Sequence, residues 1–342
     1  MNKENSKKIL EVKGLTAAFH TGSGKLKAVN DVSFSLKKGE VLGLVGESAC
    51  GKSMTALSIL RLLPPGGTIA AGEVLLEGGN LLRLSREKMR RIRGKKIAMI
   101  FQDPNTTLNP VRTIGRQFDE TLRTHLQLDR EKAKQGALEM LSATGLANPE
   151  RIWKCFPFQL SGGMRQRVMI AMALSLGPDI LIADEPTTAL DVTVQAQILM
   201  EMKKLKDQFK TGILLISHNM GVIAQISDRV AVMYAGSIVE YGPAASIFYQ
   251  PAHPYTRALL NSIPDLNHKD KILHSIKGQP PALHRLPPGC AFYPRCSKAR
   301  EICSISPPSW TGPDNGHRVS CHLPDMEAGK AKPGRVKERV LI

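Results

Sequence analysis

Two glycine-rich turns and one acidic strand end carry the residues of this chain that could do chemistry. The backbone amides of the first turn can wrap the phosphates of a nucleotide, Lys52 adds a positive charge, and the Ser53 hydroxyl is a ligand for Mg²⁺. This turn fits the pattern G-x-x-x-x-G-K-[ST] at each defined position, and it consists of Gly46, Glu47, Ser48, Ala49, Cys50, Gly51, Lys52 and Ser53.

The second turn and the acids lie close together in the sequence. Ser161, Gly162 and Gly163 form a turn at the start of a predicted helix, where free backbone N–H groups can hold phosphate oxygens. Asp184 and Glu185 end an apolar strand, so Asp184 can orient Mg²⁺ and Glu185 can act as general base or position the attacking water. Since a P-loop domain closes its own site, we expect the second turn to complete the nucleotide site of a partner subunit.

Two polar residues follow other apolar strands and extend the predicted site. Gln102 follows the run 97–101 and can contact both Mg²⁺ and water. His218 follows the run 213–217, from where it can reach the γ-phosphate and link it to Glu185. A lone histidine after a strand is more often a capping residue, so this role of His218 depends on the other motifs.

The elements that must position these residues are typical of an α/β fold. Short apolar runs before the motifs are suited to buried parallel strands, and longer segments between them are suited to helices. Strands are predicted over 41–45, 97–101, 180–183 and 213–217, and helices over 54–63, 113–126 and 130–144, the last closed by Gly145 and Pro149.

The ordered set of motifs resembles the ATP-binding subunit of ABC transporters. The set consists of GESACGKS, LSGGMRQ and ILIADEP together with Gln102, His218 and Ala189-Leu190-Asp191. The resemblance implies a P-loop NTPase with a RecA-like core, an antiparallel β subdomain and a helical subdomain. It also implies that ATP is the nucleotide, that Asp191 belongs to the nucleotide-binding residues, and that Phe19 or His20 stacks under adenine.

The tail is similar to the C-terminal extension of dipeptide and oligopeptide permease ATPases, a branch that includes nickel and glutathione importers. Residues 251–260 and 286–296 carry this likeness, and residues 103–110 and 156–161 resemble the peptide-importer version of the helical subdomain. We therefore predict a nucleotide-binding core over 1–102 and 161–250, a helical subdomain over 103–160, and a small, loop-rich extension with cysteines over 251–342.

The same resemblance implies the function and the partners. We expect an ATPase that energises the import of dipeptides or oligopeptides. It would act with a second, usually different ATP-binding subunit, two transmembrane permease subunits and an extracytoplasmic substrate-binding protein. The alternatives are a nickel or glutathione importer of the same branch and a soluble ABC ATPase that acts on nucleic acid or ribosomes. The interval from Ser53 to Ser161 has no room for the coiled coil or zinc module of DNA-repair ATPases, so we expect no nucleic-acid partner.

The formal net charge of +17 is concentrated in two clusters, residues 86–96 and 330–339. Such clusters are solvated faces or attract nucleic acid or anionic lipid headgroups. No apolar run approaches the ~20 residues that a membrane-spanning helix needs, and the first residues lack the apolar core of a signal peptide. We expect a peripheral protein on the cytoplasmic side of the cell membrane, with the membrane-spanning parts on other chains.

Four of the six cysteines lie in the tail, at Cys290, Cys296, Cys303 and Cys321. Disulfides are unusual in the cytosol, and zinc sites more often carry a C-x₂₋₄-C pair. Four thiolates in one short segment suit an iron–sulfur cluster. Members of the resembling branch hold a [4Fe–4S] cluster at such cysteines, so we predict this cofactor, with zinc or free thiols as alternatives.

Three further expectations concern individual side chains. Cys50 lies at a predicted helix N-terminus, where thiol pKa values are lowered, so it should react with thiol reagents. Cys155 should be a buried small hydrophobe. His317 and His322 should be surface residues rather than metal ligands.

Overall fold

The computed structural model describes residues 7–22, 24–103, 107–188, 190–262, 276–312 and 316–323. Both strands and helices occur along this length, as the predicted α/β class requires. The strands are β1 (Lys8–Thr21), β2 (Gly24–Lys37), β3 (Val41–Val45), β4 (Gly67–Leu76), β5 (Gly79–Asn80), β6 (Ile97–Ile100), β7 (Ile180–Asp184), β8 (Gly212–Ser217), β9 (Arg229–Tyr234), β10 (Ser237–Pro243), β11 (Trp310–Thr311) and β12 (Arg318–Ser320). The helices are α1 (Lys52–Ile59), α2 (Arg86–Ile92), α3 (Ile114–Leu126), α4 (Arg130–Ala143), α5 (Pro149–Lys154), α6 (Gly162–Leu174), α7 (Val192–Phe209), α8 (Met220–Ile226), α9 (Ala244–Tyr249), α10 (Pro254–Asn261) and α11 (Glu301–Ile305).

The contacts within the chain divide it into two compact units. The first unit comprises residues 1–9, 36–40 and 83–216, and the second comprises residues 10–35, 41–82 and 217–342. The subdomain boundaries predicted at residues 103, 161 and 251 stay predictions. Residues 104–106 of the predicted importer segment, Ala189 and the basic residues 330–339 lie outside the described residues.

The first unit contains the parallel strands that end near the predicted acids. β6 pairs with β7, with Ile97 opposite Ile180, and β7 pairs with β8, with Ile180 opposite Gly212. Every residue of β7 and β8 is buried. Continuous apolar runs form such strands because both faces of a parallel sheet are covered. The parallel pairing brings the carboxyl ends of these strands, including Asp184, to one edge of the sheet.

The predicted helices of the first unit are confirmed in α3 and α4, each with an N-terminal cap. Thr113 caps α3 and Asp129 caps α4 through side-chain oxygens that accept backbone N–H groups. Pro149 does more than close α4, because it begins the additional short helix α5. Proline suits this first helical position, where its missing N–H costs no intrahelical hydrogen bond.

The second unit contains an antiparallel sheet and a group of strands around β9. In the antiparallel sheet the strand order is β2, β1, β4 and β5. β9 pairs with β3 in parallel and with β10 antiparallel, and β12 joins β10 to β11. The core here consists of apolar strand residues such as Leu42, Leu44 and Val232, all without solvent exposure. The antiparallel β subdomain implied by the resemblance is thus present.

Helix α1 begins earlier and ends earlier than the predicted span 54–63. It starts at Lys52, directly after Gly51, whose φ of 106° turns the chain into the helix. It ends at Ile59, and Arg61 then takes a positive φ of 54° before the prolines that follow. The strained residue after the helix, rather than the prolines, marks its end. Among the helices in the described parts of the chain, none combines the length and apolar character needed to cross a bilayer.

Candidate nucleotide-binding site

The phosphate loop, residues 46–53, has a backbone that only small residues can follow. A Cβ atom on Gly46 would lie 2.1 Å from the carbonyl oxygen of Met233 and 2.9 Å from Cys50 Sγ. A Cβ atom on Gly51 would lie 2.4 Å from the Ala28 carbonyl oxygen, and Gly51 also has a positive φ. The two glycines of the motif are therefore required by close backbone approach, which lets the loop adopt the tight curve that a phosphate-binding turn needs.

The two polar residues that end the motif stand at the start of α1. Lys52 is buried, and its Nζ donates to the carbonyl oxygens of Gly46 and Glu47 at 2.8 and 2.9 Å. These bonds hold the ammonium group inside the curve of the loop. Ser53, the second helical residue, is partly exposed. The loop thus places a positive charge, a hydroxyl and a helix N-terminus together, which is the chemistry that phosphate binding needs.

The lowered pKa expected for the Cys50 thiol is wrong. Its side chain is buried within the loop, and burial raises the pKa of the thiol even though the Lys52 charge acts in the opposite direction. The desolvation of a thiolate outweighs the helix N-terminus and the neighbouring ammonium. Cys155, expected to be buried, is partly exposed.

Glu185 lies just beyond β7 in a backbone conformation that is rare for a residue with a side chain. Its φ is 48°, and its N–H donates to the Ile216 carbonyl oxygen at 2.9 Å. Its carboxylate accepts from Gln102 Nε2 at 3.2 Å and from Thr188 Oγ1 at 2.9 Å. Asp184, one residue earlier, is 4% exposed. The first unit therefore brings the predicted Gln102, Asp184 and Glu185 together, with Glu185 held by two donors.

The second glycine turn has the geometry of a capped helix N-terminus. Ser161 caps α6 by accepting the Met164 N–H at 3.3 Å. A Cβ atom on Gly163 would lie 3.0 Å from the Val194 side chain, so the turn runs close to the start of α7. Asp191 caps α7 by accepting the Val194 N–H at 2.9 Å. Among the described residues of its first turn, α6 carries no acidic side chain, which leaves its N-terminus favourable for an anion.

The remaining predicted residues belong to the second unit. His218 directly follows β8 and is exposed. Phe19 is partly buried in β1, and its ring lies against the backbone of Gly67, where a Cβ atom would come within 2.8 Å of the ring. His20 next to it is exposed. The stacking of either residue under adenine stays a prediction.

Two residues of the C-terminal extension contact the phosphate loop, and sequence reasoning missed both. The Tyr255 hydroxyl accepts the Glu47 N–H at 2.8 Å, and Arg295 pairs with the Glu47 carboxylate. Tyr255 packs with two other rings, Tyr234 and Phe292, at centroid distances of 4.6 and 5.3 Å. Burial raises the pKa of the Tyr255 hydroxyl, which keeps it neutral. No local pattern in the sequence marks either contact.

The four tail cysteines line one small cavity, called the cysteine cavity below, of about 20 Å³. Burial raises the pKa of three of these thiols, Cys290, Cys296 and Cys321, and that of Cys321 reaches about 11. Within the part of the chain that the structure describes, no three His, Cys, Asp or Glu side chains are placed as a ready metal-binding group. The cavity is lined by Cys290, Cys296, Cys303 and Cys321 together with other residues that include His253 and His322.

Two histidines of this region are buried. The surface position expected for His317 is wrong, and the burial of His253 was not predicted. His317 is buried, because its Nε2 meets the Glu240 carboxylate at 2.7 Å. His253 is also buried, which lowers the pKa of its ring to about 4. Its Nδ1 accepts the Tyr255 N–H, while its Nε2 meets no hydrogen-bond partner among the described residues. His322 lines the cysteine cavity and is partly buried.

Two family models match the chain one after the other. The model described as ABC transporter matches residues 29–188, and the model described as oligopeptide/dipeptide transporter, C-terminal region, matches residues 239–303. The dipeptide transport ATP-binding protein DppD of Bacillus subtilis (strain 168) is 49% identical over 325 residues, which cover 95% of this chain and 97% of that protein. The chain belongs to the ABC transporter ATP-binding proteins.

Further similarities place this ABC protein in the branch with the oligopeptide/dipeptide C-terminal region. The oligopeptide transport ATP-binding protein OppD of Escherichia coli (strain K12) is 48% identical over 300 residues, or 88% of this chain and 89% of that protein. A solved dimeric bacterial ABC transporter cassette is 28% identical, with a TM-score of 0.62 over 69% of this chain and 98% of that cassette. The predicted family and the P-loop NTPase fold of this ABC protein are thereby confirmed.

Proposed function

We propose that this ABC protein hydrolyses ATP to energise an importer of dipeptides or oligopeptides. The observation that carries the proposal is the union, in one chain, of an ABC cassette and the C-terminal region of oligopeptide and dipeptide transporters. Relatives named for dipeptide and for oligopeptide transport match the chain over nearly all of its length, which supports the same cargo class.

The phosphate loop and Lys52 would bind the triphosphate of ATP. Ser53, Gln102 and Asp184 would supply oxygen ligands of the kind that Mg²⁺ prefers, and the ion would neutralise charge on the phosphates. The capped N-terminus of α6, with Ser161, Gly162 and Gly163, would complete the ATP site of a second ATP-binding subunit. Asp191 would support this turn from the start of α7, where it caps the helix.

Glu185 would take the proton of the attacking water as the water oxygen bonds to the γ-phosphorus. The bond between this phosphorus and the β–γ bridging oxygen would break, which releases ADP and inorganic phosphate. The hydrogen bonds from Gln102 and Thr188 orient its carboxylate, and its strained backbone position fixes where the side chain leaves the strand. A general base must be held within reach of the water that it activates, so this restraint favours the role. His218 would assist by contacting the γ-phosphate.

The first unit also offers a surface for a membrane partner. Val111, just before α3, is 80% exposed, and Phe158, in the turn before α6, is 67% exposed. Exposed apolar side chains of this size are typical of interaction sites. We propose that a permease subunit docks here, so that the chain lies at the cytoplasmic side of the membrane. The complete transporter would contain two permease subunits, a different ATPase chain as the second ATP-binding subunit and an extracytoplasmic protein that delivers the cargo.

The catalytic assignment is tested by Glu185→Gln in the full-length chain. The variant should bind MgATP as wild type does and lose hydrolysis by at least ~100-fold, because the base is removed and the binding loop is untouched. The matched control is Glu131→Gln, an exposed glutamate of α4 in the same unit. Normal turnover by the Glu185 variant would remove this residue from its role.

The cargo is tested by growth on defined dipeptides and oligopeptides with and without the gene. Loss of growth on peptides, with unchanged uptake of nickel and glutathione, supports the proposal. The opposite pattern favours a nickel or glutathione importer of the same branch. ATP hydrolysis by the isolated chain that rises strongly with added DNA, RNA or ribosomes would instead favour the soluble ABC ATPase.

We propose further that the cysteine cavity holds a [4Fe–4S] cluster on Cys290, Cys296, Cys303 and Cys321. The supporting observations are the four thiols around one cavity and the buried His253 Nε2 without a partner. The small volume and the absence of a ready ligand group among the described residues require the thiols to rearrange. Iron and sulfide in protein purified without oxygen, lost in Cys303→Ser, would support the cluster. Zinc or no metal would contradict it.

A further inference from the structure

An ion pair links the C-terminal extension to the phosphate loop within the second unit. Arg295 lies directly before Cys296, in the segment that lines the cysteine cavity. Its Nη1 and Nη2 donate to the two carboxylate oxygens of Glu47 at 2.6 and 2.9 Å. Glu47 is the second residue of the phosphate loop and is followed by the exposed Ser48. A residue far along the chain thus holds the only acidic side chain of the loop.

Contacts other than Glu47 also hold the guanidinium of Arg295 in place. The Arg295 side chain is 4% exposed, and its guanidinium carbon lies 5.9 Å from the ring centroid of Tyr234 and 6.0 Å from that of Phe292. Its nitrogens also donate to the carbonyl oxygens of Lys277 at 3.0 Å and Gly278 at 3.2 Å. A planar guanidinium group held in this way pairs with a carboxylate at little cost in side-chain entropy.

Glu47 needs a positively charged partner because it lies within the phosphate loop. A carboxylate in a loop that binds phosphates repels the ligand, and this repulsion is strong in a partly desolvated site. The Glu47 side chain is 25% exposed, so water alone screens it incompletely. The bidentate pair cancels the charge and turns the carboxylate toward Arg295. The Glu47 pairing in turn raises the pKa of the Arg295 guanidinium, which therefore stays charged.

We propose that Arg295 is a positioning residue for ATP binding, which neutralises and orients Glu47 so that the phosphate loop accepts the triphosphate. The inference rests on the proposed binding of ATP at this loop. It gives the C-terminal extension a role in the nucleotide site of its own chain, separate from any occupant of the cysteine cavity.

The test measures MgATP affinity by calorimetry in full-length chains that also carry Glu185→Gln, so that ATP is not consumed. Arg295→Gln should weaken binding by about tenfold, because it leaves the Glu47 carboxylate uncompensated. Arg295→Lys keeps the charge without the planar guanidinium group and should weaken binding by only about threefold. The matched control is Arg285→Gln, which removes an exposed arginine of the same extension and should bind ATP as the parent does.

A second substitution separates charge compensation from a structural role of Arg295. If Arg295 acts by neutralising Glu47, then Glu47→Gln together with Arg295→Gln should restore the affinity to within about threefold of the parent. Glu47→Gln alone should bind ATP more tightly than the parent. In otherwise wild-type chains, Arg295→Gln should raise KM for ATP much more than it lowers kcat. Thermal unfolding and bound iron and zinc are measured for each variant, because Arg295 adjoins Cys296.

The outcomes separate this inference from the proposed function. Tight binding by Arg295→Gln, or a double variant as weak as Arg295→Gln alone, would overturn the positioning role while leaving ATP binding intact. Failure of the parent chain to bind MgATP would overturn the proposed function itself. Recovery in the double variant with an unchanged unfolding temperature supports the inference.

Discussion

The phosphate loop and the cysteine cavity are built in opposite ways. The loop is one continuous segment, residues 46–53, between a buried strand and a helix. The cavity gathers side chains from His253 to Leu323, and the elements described in this stretch include helices as short as α11. The loop works through its backbone, so its sequence pattern is local. The cavity works through side chains that meet only after the extension has packed.

The sequence pattern of the loop is therefore local, whereas the extension is assembled by contacts between residues that are far apart in the sequence. One residue that anchors the extension in this way is Glu240 in β10, which has no solvent exposure. Its carboxylate accepts the backbone N–H groups of Ala252 at 2.7 Å and His253 at 3.0 Å, and it meets His317 Nε2. A single buried carboxylate thus holds the start of the extension and the strand that precedes Cys321.

The largest expected effect is the loss of folding stability when Glu240 is replaced. Glu240→Leu leaves two buried N–H groups and one buried imidazole without an acceptor. It should therefore lower the free energy of unfolding by about 4 kcal/mol. Chemical denaturation of the full-length chain measures it. Glu240→Gln keeps one acceptor oxygen and should cost less, and Glu301→Leu on the exposed start of α11 is the matched control. Equal stability of Glu240→Leu and the control would show that the anchor contributes nothing.

The next largest effect is the loss of ATP hydrolysis when a side chain is added at Gly46 of the phosphate loop. Gly46→Ala places a Cβ atom 2.1 Å from the Met233 carbonyl oxygen, so the loop must shift. Because a displacement of ~1 Å in a binding site costs on the order of 100-fold, ATP hydrolysis should fall by at least that factor. Steady-state hydrolysis rates measure the effect. Gly136→Ala, whose Cβ meets open space on α4, is the control and should be neutral or slightly stabilising.

The loop and its strands could be predicted because their signals are local. The motif of residues 46–53 and the apolar runs of β3 and β7 lie within short windows, where strand period and turn chemistry decide the structure. The same holds for α3 and α4, whose caps are visible in the sequence. Gln102 and Glu185 could be assigned because each follows a strand of one parallel sheet, although the positive φ of Glu185 could not.

The anchors of the extension could not be predicted for a physical reason. Arg295 and Glu47 are 248 residues apart, and Glu240 and His317 are 77 residues apart. A single sequence carries no information on which charged side chains pair across such distances, because each is compatible with a solvated surface. The same limit misplaced His317, whose burial depends on Glu240. The four cysteines lie within one short segment of the sequence, and the structure places all four at one cavity, although their role there stays a prediction.

The smallest effect concerns Cys50, the thiol inside the phosphate loop. Since burial raises its pKa and shields it from solvent, iodoacetamide at neutral pH should modify it far more slowly than the partly exposed Cys155. Mass spectrometry of peptides from briefly treated native protein measures the two rates, and denatured protein, in which both thiols should react alike, is the control. Because the loop binds phosphate through backbone amides, Cys50→Ser should change the hydrolysis rate by less than about threefold. Fast labelling of Cys50 in the native chain would mean that the loop opens readily. The phosphate loop would then not hold its structure through local contacts, and the contrast with the extension would be contradicted.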